Sequence, residues 1–238
     1  MEPDEYELMD VAESRMWWYR ALHRRLCDAL AGVRGRVLDA GCGTGGLLAS
    51  LAHWPEALTA VGLEPSPYGA RRSRDKSGAP VVRGSVNALP FADASFDAAV
   101  LADVLCHGAV EPASALAEMR RVLRPGGRLI VNMPAYAWLF SAHDRRVHNA
   151  RRANRRQVHA SLAQAGFVHI RARYWNSLLL PLMIAQRKLR GRGDNAASDV
   201  AVFPPWLDGI LYRITSLERR LPFALPAGGS VLATAEAP

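Results

Sequence analysis

An apolar segment that runs directly into a glycine-rich turn constrains the fold more than any other feature of this chain. Residues 37–46 read VLDAGCGTGG, and a helical pattern follows them. Glycines adopt positive φ readily and let a ligand approach the backbone, while the free amides at a helix start attract polar or anionic groups. We therefore predict a strand, a tight turn and a helix that together hold a cofactor.

Short β-rich apolar runs alternate with helical stretches from residue 36 onward. Helices are predicted over 111–123 and 154–165, with a turn at Gly126-Gly127. This alternation is typical of a parallel, doubly wound α/β sheet. The predicted strands are Val37–Ala40, Leu58–Leu63, Pro80–Arg83, Phe96–Ala102, Arg128–Met133, Phe167–Tyr174 and Ser230–Ala235.

Helical segments are predicted on both sides of this core. Leucines spaced four residues apart favour one amphipathic helix over Val11–Leu30, and roughly fifty residues before the last strand favour a helical cap. The polar connection 191–199 is the segment that we expect to be mobile. We expect one domain over 1–238, with a helical lid (1–35), a cofactor-binding core (36–174), a cap (175–228) and a final strand (229–238).

Two kinds of cofactor are compatible with the glycine turn. Gly41, Gly43 and Gly46 satisfy the dinucleotide fingerprint G-x-G-x-x-G, so an NAD-dependent oxidoreductase is one alternative. Asp39, however, ends the strand with a carboxylate, which suits a cationic ligand better than a pyrophosphate. Glu64, at the end of the next strand, can accept hydrogen bonds from ribose hydroxyls with either cofactor.

The acidic residue and alternating glycines resemble the first motif of the class I S-adenosylmethionine-dependent methyltransferase family, small-molecule type. The resemblance continues in the same order through segments 84–91, 95–97, 103–107 and 121–127, and covers about residues 36–135. It implies an enzyme with a seven-stranded, mostly parallel Rossmann-like sheet. It also implies S-adenosylmethionine as the cofactor and S-adenosylhomocysteine as the product.

The resemblance also assigns the cofactor-binding residues. They are Asp39, Gly41, Cys42, Gly43, Gly45, Glu64, Pro65, Ser85, Val86, Asp103 and Val104. Many relatives carry aspartate at the position of Ser85, where it contacts the adenine amine. With a serine there, that contact is either weaker or made by the backbone.

Substrate and catalytic residues are expected beyond the carboxyl ends of the strands. His143 and Asp144 are the predicted acid/base pair, with helix capping as the alternative. The predicted substrate-binding residues are Trp17, Trp18, Tyr19, His107, Tyr136, Trp138, Arg151 and Arg152. Ordinary core packing is the alternative for the aromatic residues and His107, and a solvated helix face is the alternative for the arginines.

Composition excludes several function classes. Cys27, Cys42 and Cys106 lack disulfide-framework or zinc-ligand spacing, so we expect no metal site and a reducing, cytoplasmic location. The chain opens acidic, so we expect no secretory signal. Its formal net charge of +8 allows nucleic acid, an anionic membrane surface or a phosphorylated substrate as a partner. The absence of a base-flipping motif ranks nucleic acid below a small molecule.

These observations predict methyl transfer from S-adenosylmethionine to an apolar or amphiphilic small molecule. An aromatic or prenyl-phosphate metabolite fits the apolar cap and the arginines, and specialised metabolism and natural product biosynthesis are the expected setting. A nucleic-acid or membrane-lipid methyltransferase, an NAD-dependent oxidoreductase and a cofactor-binding protein without turnover are the alternatives. Peripheral membrane contact through the apolar stretch 178–184 is a further expectation. The acceptor atom and the oligomeric state do not follow from the sequence.

Overall fold

The computed structural model of the chain describes residues 3–54, 58–189 and 203–238. Seven strands form one sheet in the order β3-β2-β1-β4-β5-β7-β6. Strands β1 to β5 pair in parallel, whereas β7 is antiparallel to both of its neighbours. The strands are β1 (Gly35–Ala40), β2 (Leu58–Leu63), β3 (Val81–Val82), β4 (Phe96–Ala102), β5 (Leu123–Pro134), β6 (Val168–Trp175) and β7 (Ser230–Glu236).

Helices cover both faces of this sheet, which confirms the predicted doubly wound α/β class. They are α1 (Pro3–Ala12), α2 (Trp17–Leu30), α3 (Gly46–Leu51), α4 (Pro67–Ser77), α5 (Pro112–Val122), α6 (Ala142–Arg146), α7 (Arg155–Gln164), α8 (Leu180–Leu189) and α9 (Pro205–Arg219). A short 3-10 helix, Ala137–Leu139, follows β5.

Two apolar clusters fix how the helices pack. On one face, α5 and α7 bury residues such as Met119 and Leu162 against the sheet. On the other face, α2 buries Leu26 and Leu30 beside α3. The helices thus hold the strands so that the carboxyl ends of β1, β2, β4 and β5 meet at one edge, which we call the carboxyl edge.

The strand β5 is longer than its predicted span. The sequence predicts a turn at Gly126-Gly127, and the strand assigned from Leu123 is irregular there: its pairing with β4 shifts register after Leu123, and Gly126 has a φ of +75°. Gly126 donates its N–H to the carbonyl of Ala237, and Ala237 donates to the carbonyl of Gly127. These partners lie at the far end of the chain, so a local pattern could not reveal them. In contrast, β3 is limited to two residues, fewer than predicted.

The N-terminal region holds two helices, so the prediction of one helix over Val11–Leu30 was wrong in its extent. α1 ends at Ala12, and Met16 is extended (φ −71°, ψ 131°) before α2 begins. The backbone N–H of Trp17 donates to Asp208 Oδ1 (2.6 Å) on α9. A side chain far along the sequence therefore accepts the free N–H group at the start of α2.

Helices α8 and α9 lie between β6 and β7, where the cap was predicted. Arg25 of α2 donates to the carbonyl of Thr215 (2.7 Å) and lies 3.9 Å from Glu218, so α2 and α9 are joined by buried polar contacts. The connection 191–199, which the sequence predicts to be mobile, lies outside the described residues. Within the described part of the chain, no helix combines the length and apolar character that a membrane span requires.

Candidate active site

The glycine turn lies at the carboxyl edge and is tied to the neighbouring strand. The N–H groups of Gly41 and Cys42 both donate to the carbonyl of Leu63 (2.8 and 3.0 Å). Gly45 has φ +93°, and a Cβ there would lie 2.7 Å from the backbone of Ser73. Only glycine fits this close approach. A Cβ on Gly41 would meet Val104 at 2.5 Å, which places Val104 directly against the turn.

Asp39 ends β1 beneath the turn as a buried carboxyl group. Asp39 is only 2% exposed, and its Oδ2 atom has no hydrogen-bond partner among the described residues. Desolvation raises the pKa of Asp39 to about 8, with smaller contributions from Glu13 and Glu64. A buried acceptor without a donor is costly, so this atom fits a ligand that brings a donor or a positive charge.

Glu64, at the end of β2, is the second buried carboxylate. Gly43 donates its N–H to Glu64 Oε2 (3.0 Å), and Ser66 donates to Oε1 (3.0 Å). The hydroxyl of Tyr6 in α1 also donates to Oε1 (2.8 Å). Burial raises the pKa of Glu64 despite these donors. The carboxylate is thus held by two backbone N–H groups and by the Tyr6 hydroxyl.

Helix α1 covers the glycine turn. The Met9 methyl group lies 2.8 Å from where a Cβ on Gly43 would be. Lys76 of α4 pairs with Asp10 (2.7 Å) and Glu13 (2.6 Å), and Arg72 of α4 also pairs with Asp10. The lid predicted over residues 1–35 thus includes a separate helix that is anchored to α4 by ion pairs.

A polar relay connects the ends of β4, β5 and β6. Asn132 donates through Nδ2 to Asp103 Oδ1 (2.9 Å), and its Oδ1 accepts from the indole N–H of Trp175 (2.8 Å). Asp103 has φ +54°, a strained conformation for a residue with a side chain. Burial raises its pKa to about 6. A fixed carboxyl group that titrates near neutrality therefore lies beside the glycine turn.

The aromatic residues at the start of α2 have different environments. Trp17 is buried among apolar residues of α1, α8 and α9. Trp18 stacks on Trp175 (5.9 Å, 28°) and meets Tyr19 edge-on (5.1 Å). Burial and nearby carboxylates, among them Glu13 and Asp103, raise the pKa of Tyr19. Trp18 and Tyr19 therefore lie close to the relay, whereas Trp17 packs in the core.

The predicted adenine-pocket residues lie in the turn after β3. Ser85 Oγ accepts the N–H of Asn87 (3.2 Å), and Val86 is buried in the core on the α5 side of the sheet. Pro65 is exposed immediately after Glu64. Cys42 contacts Ser73 through its sulfur (3.4 Å). The adenine and cofactor roles of these residues stay predictions.

Asp144 serves the packing of its own segment. It caps α6 by accepting the N–H of Ser141 (2.8 Å) and pairs with Arg152 (2.8 Å) in a nearly dry environment, with side-chain exposures of 0% and 5%. Arg152 lowers the pKa of Asp144. His143 is partly buried beside this pair on α6. The geometry favours a structural role for Asp144 and Arg152, and the catalytic role of His143 stays a prediction.

We expect Asp144→Ala to lower the free energy of unfolding by about 3 to 5 kcal/mol, because it leaves Arg152 buried without its partner. Thermal unfolding of the variant measures this loss. Arg152→Ala should cost a similar amount, and the double variant should cost less than the sum of the two. Additive losses would contradict a coupled pair.

His107 and Arg151 are bound by backbone groups. Nη1 of Arg151 donates to the carbonyls of Leu105, His107 and Val110 at 2.8 to 3.0 Å. His107 pairs with Asn149 in an isolated bridge, and desolvation lowers its pKa. Both residues therefore stabilise the loop after β4, and their predicted substrate contacts stay untested.

Tyr136 and Trp138 form an aromatic row with Tyr174 at the carboxyl edge. Tyr136 stacks on Trp138 (5.5 Å, 26°) and on Tyr174 (5.3 Å, 22°). Trp138 is 62% exposed, so its ring is accessible to a ligand. The row is compatible with the predicted apolar wall.

Sequence reasoning missed Tyr6 and Met9 of α1 and Glu13 directly after it, as well as Asn132 and Trp175 of the relay. The three N-terminal residues carry no local signal, because their partners lie about 34 to 63 positions away. Asn132 could have been found, since it interrupts the apolar run of β5. Within the described ranges, no three His, Cys, Asp or Glu side chains are grouped as a metal ion would require.

The sheet order and the glycine turn over a buried acidic residue define a Rossmann-like cofactor-binding domain. Comparison with protein-family models identifies residues 38–131 as a methyltransferase domain. A solved methyltransferase from Thermotoga maritima, described as a possible histamine N-methyltransferase, superposes with a TM-score of 0.65. That alignment covers 99% of this chain and 96% of that chain at 19% identity, so it shows a shared fold.

Two curated relatives agree with this class. The demethylmenaquinone methyltransferase of Renibacterium salmoninarum is 38% identical over 130 residues, which are 52% of this chain and 50% of the relative. The malonyl-[acyl-carrier protein] O-methyltransferase of Herminiimonas arsenicoxydans is 34% identical over 169 residues, 67% of this chain and 63% of the relative. The chain thus spans about half to two thirds of the length of these relatives. The family-model match, the curated relatives and the shared fold together support a class I S-adenosylmethionine-dependent methyltransferase.

Proposed function

We propose that the protein transfers the methyl group of S-adenosylmethionine to a small acceptor that is apolar or amphiphilic. The observation that carries this proposal is the buried Asp39 carboxyl with an unpartnered Oδ2 at the glycine turn. The names of the curated relatives, which include a demethylmenaquinone methyltransferase, support a small acceptor. S-adenosylmethionine supplies an activated methyl group on a sulfonium centre.

The residues at the turn fit this cofactor. Asp39 would accept hydrogen bonds from the ammonium group and offset its charge, while Glu64 would bind the ribose hydroxyls in place of the Tyr6 hydroxyl. Gly41, Gly43 and Gly45 leave the backbone free of Cβ atoms where the ligand passes. Because no described residue donates a hydrogen bond to Asp39 Oδ2, the site favours a cationic ligand over a pyrophosphate.

The reacting end of the acceptor would lie between the relay and α2. Trp18 and Tyr19 give this region an apolar wall, and α1 and α2 exclude water from it. Methyl transfer needs chiefly an acceptor held in line with the sulfonium at near-attack distance. Asp103, held by Asn132, could accept a proton when the acceptor is a hydroxyl or an acidic C–H.

Calorimetric titration tests the cofactor directly. The purified protein should bind S-adenosylmethionine and S-adenosylhomocysteine and should not bind NAD or NADP. Preferential binding of a nicotinamide nucleotide would overturn the proposal and favour the oxidoreductase alternative. Screening apolar and phosphorylated acceptors for methyl transfer then tests the substrate class.

His143 is the sequence-predicted acid/base residue, and its test needs an acceptor found by that screen. If His143 moves the proton, His143→Ala should lower kcat by about 100-fold or more and remove one limb of the pH profile. His53→Ala, at an exposed histidine after α3, is the matched control. Near-normal turnover of His143→Ala across pH would remove His143 as the base.

A further inference from the structure

A cavity of about 460 Å³ lies between α7 and β6. We call it the basic groove, because four arginines and one histidine line it around a narrow apolar floor. Its lining residues are Arg155, Arg156, His159, Ile170, Arg171, Ala172 and Arg173. All five basic residues are exposed.

The basic side chains of the groove have no counterion within residues 3–54, 58–189 and 203–238. Among the residues that the structure describes, none of the five has a carboxylate within ion-pair distance. Arg155 and Arg156 also occupy the first turn of α7, where the helix dipole favours negative charge. Mutual repulsion and an unfavourable dipole both disappear when an anion binds.

Protection of the sheet edge does not explain this arrangement fully. β6 is an edge strand, and charged side chains such as Arg171 and Arg173 commonly keep edge strands from pairing with other chains. That account leaves Arg155 and Arg156 unexplained, because they belong to a helix. Because α7 and the edge strand β6 both contribute basic residues to the lining of one groove, we read the groove as a binding site.

The basic groove opens at the carboxyl edge of the sheet. α7 begins on the chain that leaves β5 at this edge, and β6 is parallel to β5, so it ends there. Tyr174 joins the two elements, because its hydroxyl oxygen accepts the N–H of Arg155 (3.1 Å). The end of the groove near Arg155 therefore lies at the carboxyl edge of the sheet, where the glycine turn also lies.

The aromatic row continues from the basic groove toward the candidate active site. The guanidinium of Arg155 lies 5.7 Å from the centre of the Tyr174 ring, which stacks on Tyr136, which stacks on Trp138. Aromatic faces bind extended apolar groups, and arginines bind phosphate through two parallel hydrogen bonds. The surface thus combines an anion site with an apolar track.

We propose that the basic groove binds the phosphate groups of a phosphorylated acceptor whose apolar part lies along the aromatic row. This inference deepens the proposed methyl transfer and rests on it, because the bound ligand is a methyl acceptor only in that reaction. Phosphate is favoured over a carboxylate because four guanidinium groups supply more donors than one carboxylate can accept. The ligand class is an apolar alcohol esterified with phosphate or diphosphate.

Calorimetry with inorganic pyrophosphate and geranyl diphosphate tests the groove. Both should bind, and geranyl diphosphate should bind about tenfold more tightly because its apolar chain is buried on the aromatic row. The variant Arg171→Gln/Arg173→Gln should weaken both by about tenfold or more, since charge-assisted bonds are lost. The variant Arg34→Gln/Arg71→Gln removes the same charge at exposed positions outside the groove and should bind both normally.

Two outcomes would overturn the inference. Equal weakening in both double variants would show that binding follows net charge and not the groove. A single-stranded oligonucleotide of twenty thymidines that binds the groove more tightly than geranyl diphosphate, with a steep dependence on salt, would assign it to nucleic acid.

A separate titration distinguishes this inference from the proposed function. S-adenosylmethionine should bind the Arg171→Gln/Arg173→Gln variant with wild-type affinity, because the cofactor turn is untouched. Cofactor binding without any binding of pyrophosphate or geranyl diphosphate would reject the groove alone. A wild-type protein that binds the diphosphates but no S-adenosylmethionine would reject the proposed methyl transfer and keep the anion site.

Discussion

Asp39→Asn should weaken the binding of S-adenosylmethionine by about 100-fold, because a buried charge-assisted hydrogen bond is lost together with the countercharge. Calorimetry with S-adenosylmethionine and S-adenosylhomocysteine measures the loss. The amide has the same size as the carboxyl group, so the glycine turn should keep its shape. Asp75→Asn, at an exposed position of α4, is the control for the loss of one acidic residue.

The raised pKa of Asp39 adds a pH dependence to this prediction. With a pKa of about 8 in the free protein, Asp39 is mostly protonated at pH 7. A cationic ligand binds the ionised form, so binding should release a proton and should strengthen as the pH rises toward 8. Titrations at pH 7 in buffers of different ionisation enthalpy measure the released proton, and Asp39→Asn should release less.

The free energy of unfolding should fall as the pH rises, whereas cofactor binding should strengthen. The pKa of Asp39 is higher in the folded chain than its ordinary value of 3.8, so its contribution to the free energy of unfolding falls as the pH rises from 3.8 to about 8. Asp39→Asn lacks this loss and should have the higher Tm at pH 7.5.

Unchanged cofactor affinity in Asp39→Asn would contradict the assignment of the glycine turn as the cofactor site.

Glu64→Gln should weaken S-adenosylmethionine binding by about 30- to 100-fold, the value of one or two hydrogen bonds to a charged group. The amide keeps one acceptor but turns an N–H group toward donors such as the N–H of Gly43, which lies 3.0 Å from Oε2. The loss should affect S-adenosylhomocysteine equally, because the ribose is common to both. Fluorescence or calorimetric titration gives both constants.

Tyr6→Phe is the matched control for Glu64→Gln. It removes the hydroxyl that donates to Oε1 (2.8 Å) and leaves the carboxylate in place. If the ribose replaces that hydroxyl, Tyr6→Phe should bind the cofactor at least as tightly as the wild type. A loss in Tyr6→Phe as large as that in Glu64→Gln would show that the Tyr6 contact maintains the site and does not compete for it.

Features set by local patterns were predicted well from the sequence. The bounds of β2 and β4 match the predicted spans Leu58–Leu63 and Phe96–Ala102, because each is a short apolar run with turn residues on both sides. The glycine turn and Asp39 follow from the same local reasoning. The family resemblance added the seven-stranded sheet, which the structure confirms.

Features that depend on distant partners were not predictable. α1 is only weakly amphipathic, and it is held by Lys76 and Glu64, which lie far along the chain. Asp144 is of a residue type that is common in catalytic sites. Its pairing with Arg152, however, depends on how the loop after β5 folds back. Periodicity describes which face of an element is apolar, and it does not describe which buried charges meet.

The position of α1 over the glycine turn has a kinetic consequence. A ligand that enters through this side must wait for α1 to leave Gly43 and for the ion pairs of Asp10 and Glu13 with α4 to break. The observed rate of entry then reaches a plateau at high ligand concentration, set by the opening of the helix and not by diffusion. Because Arg72 is 41% exposed, added salt should screen its pairing with Asp10 and raise that plateau.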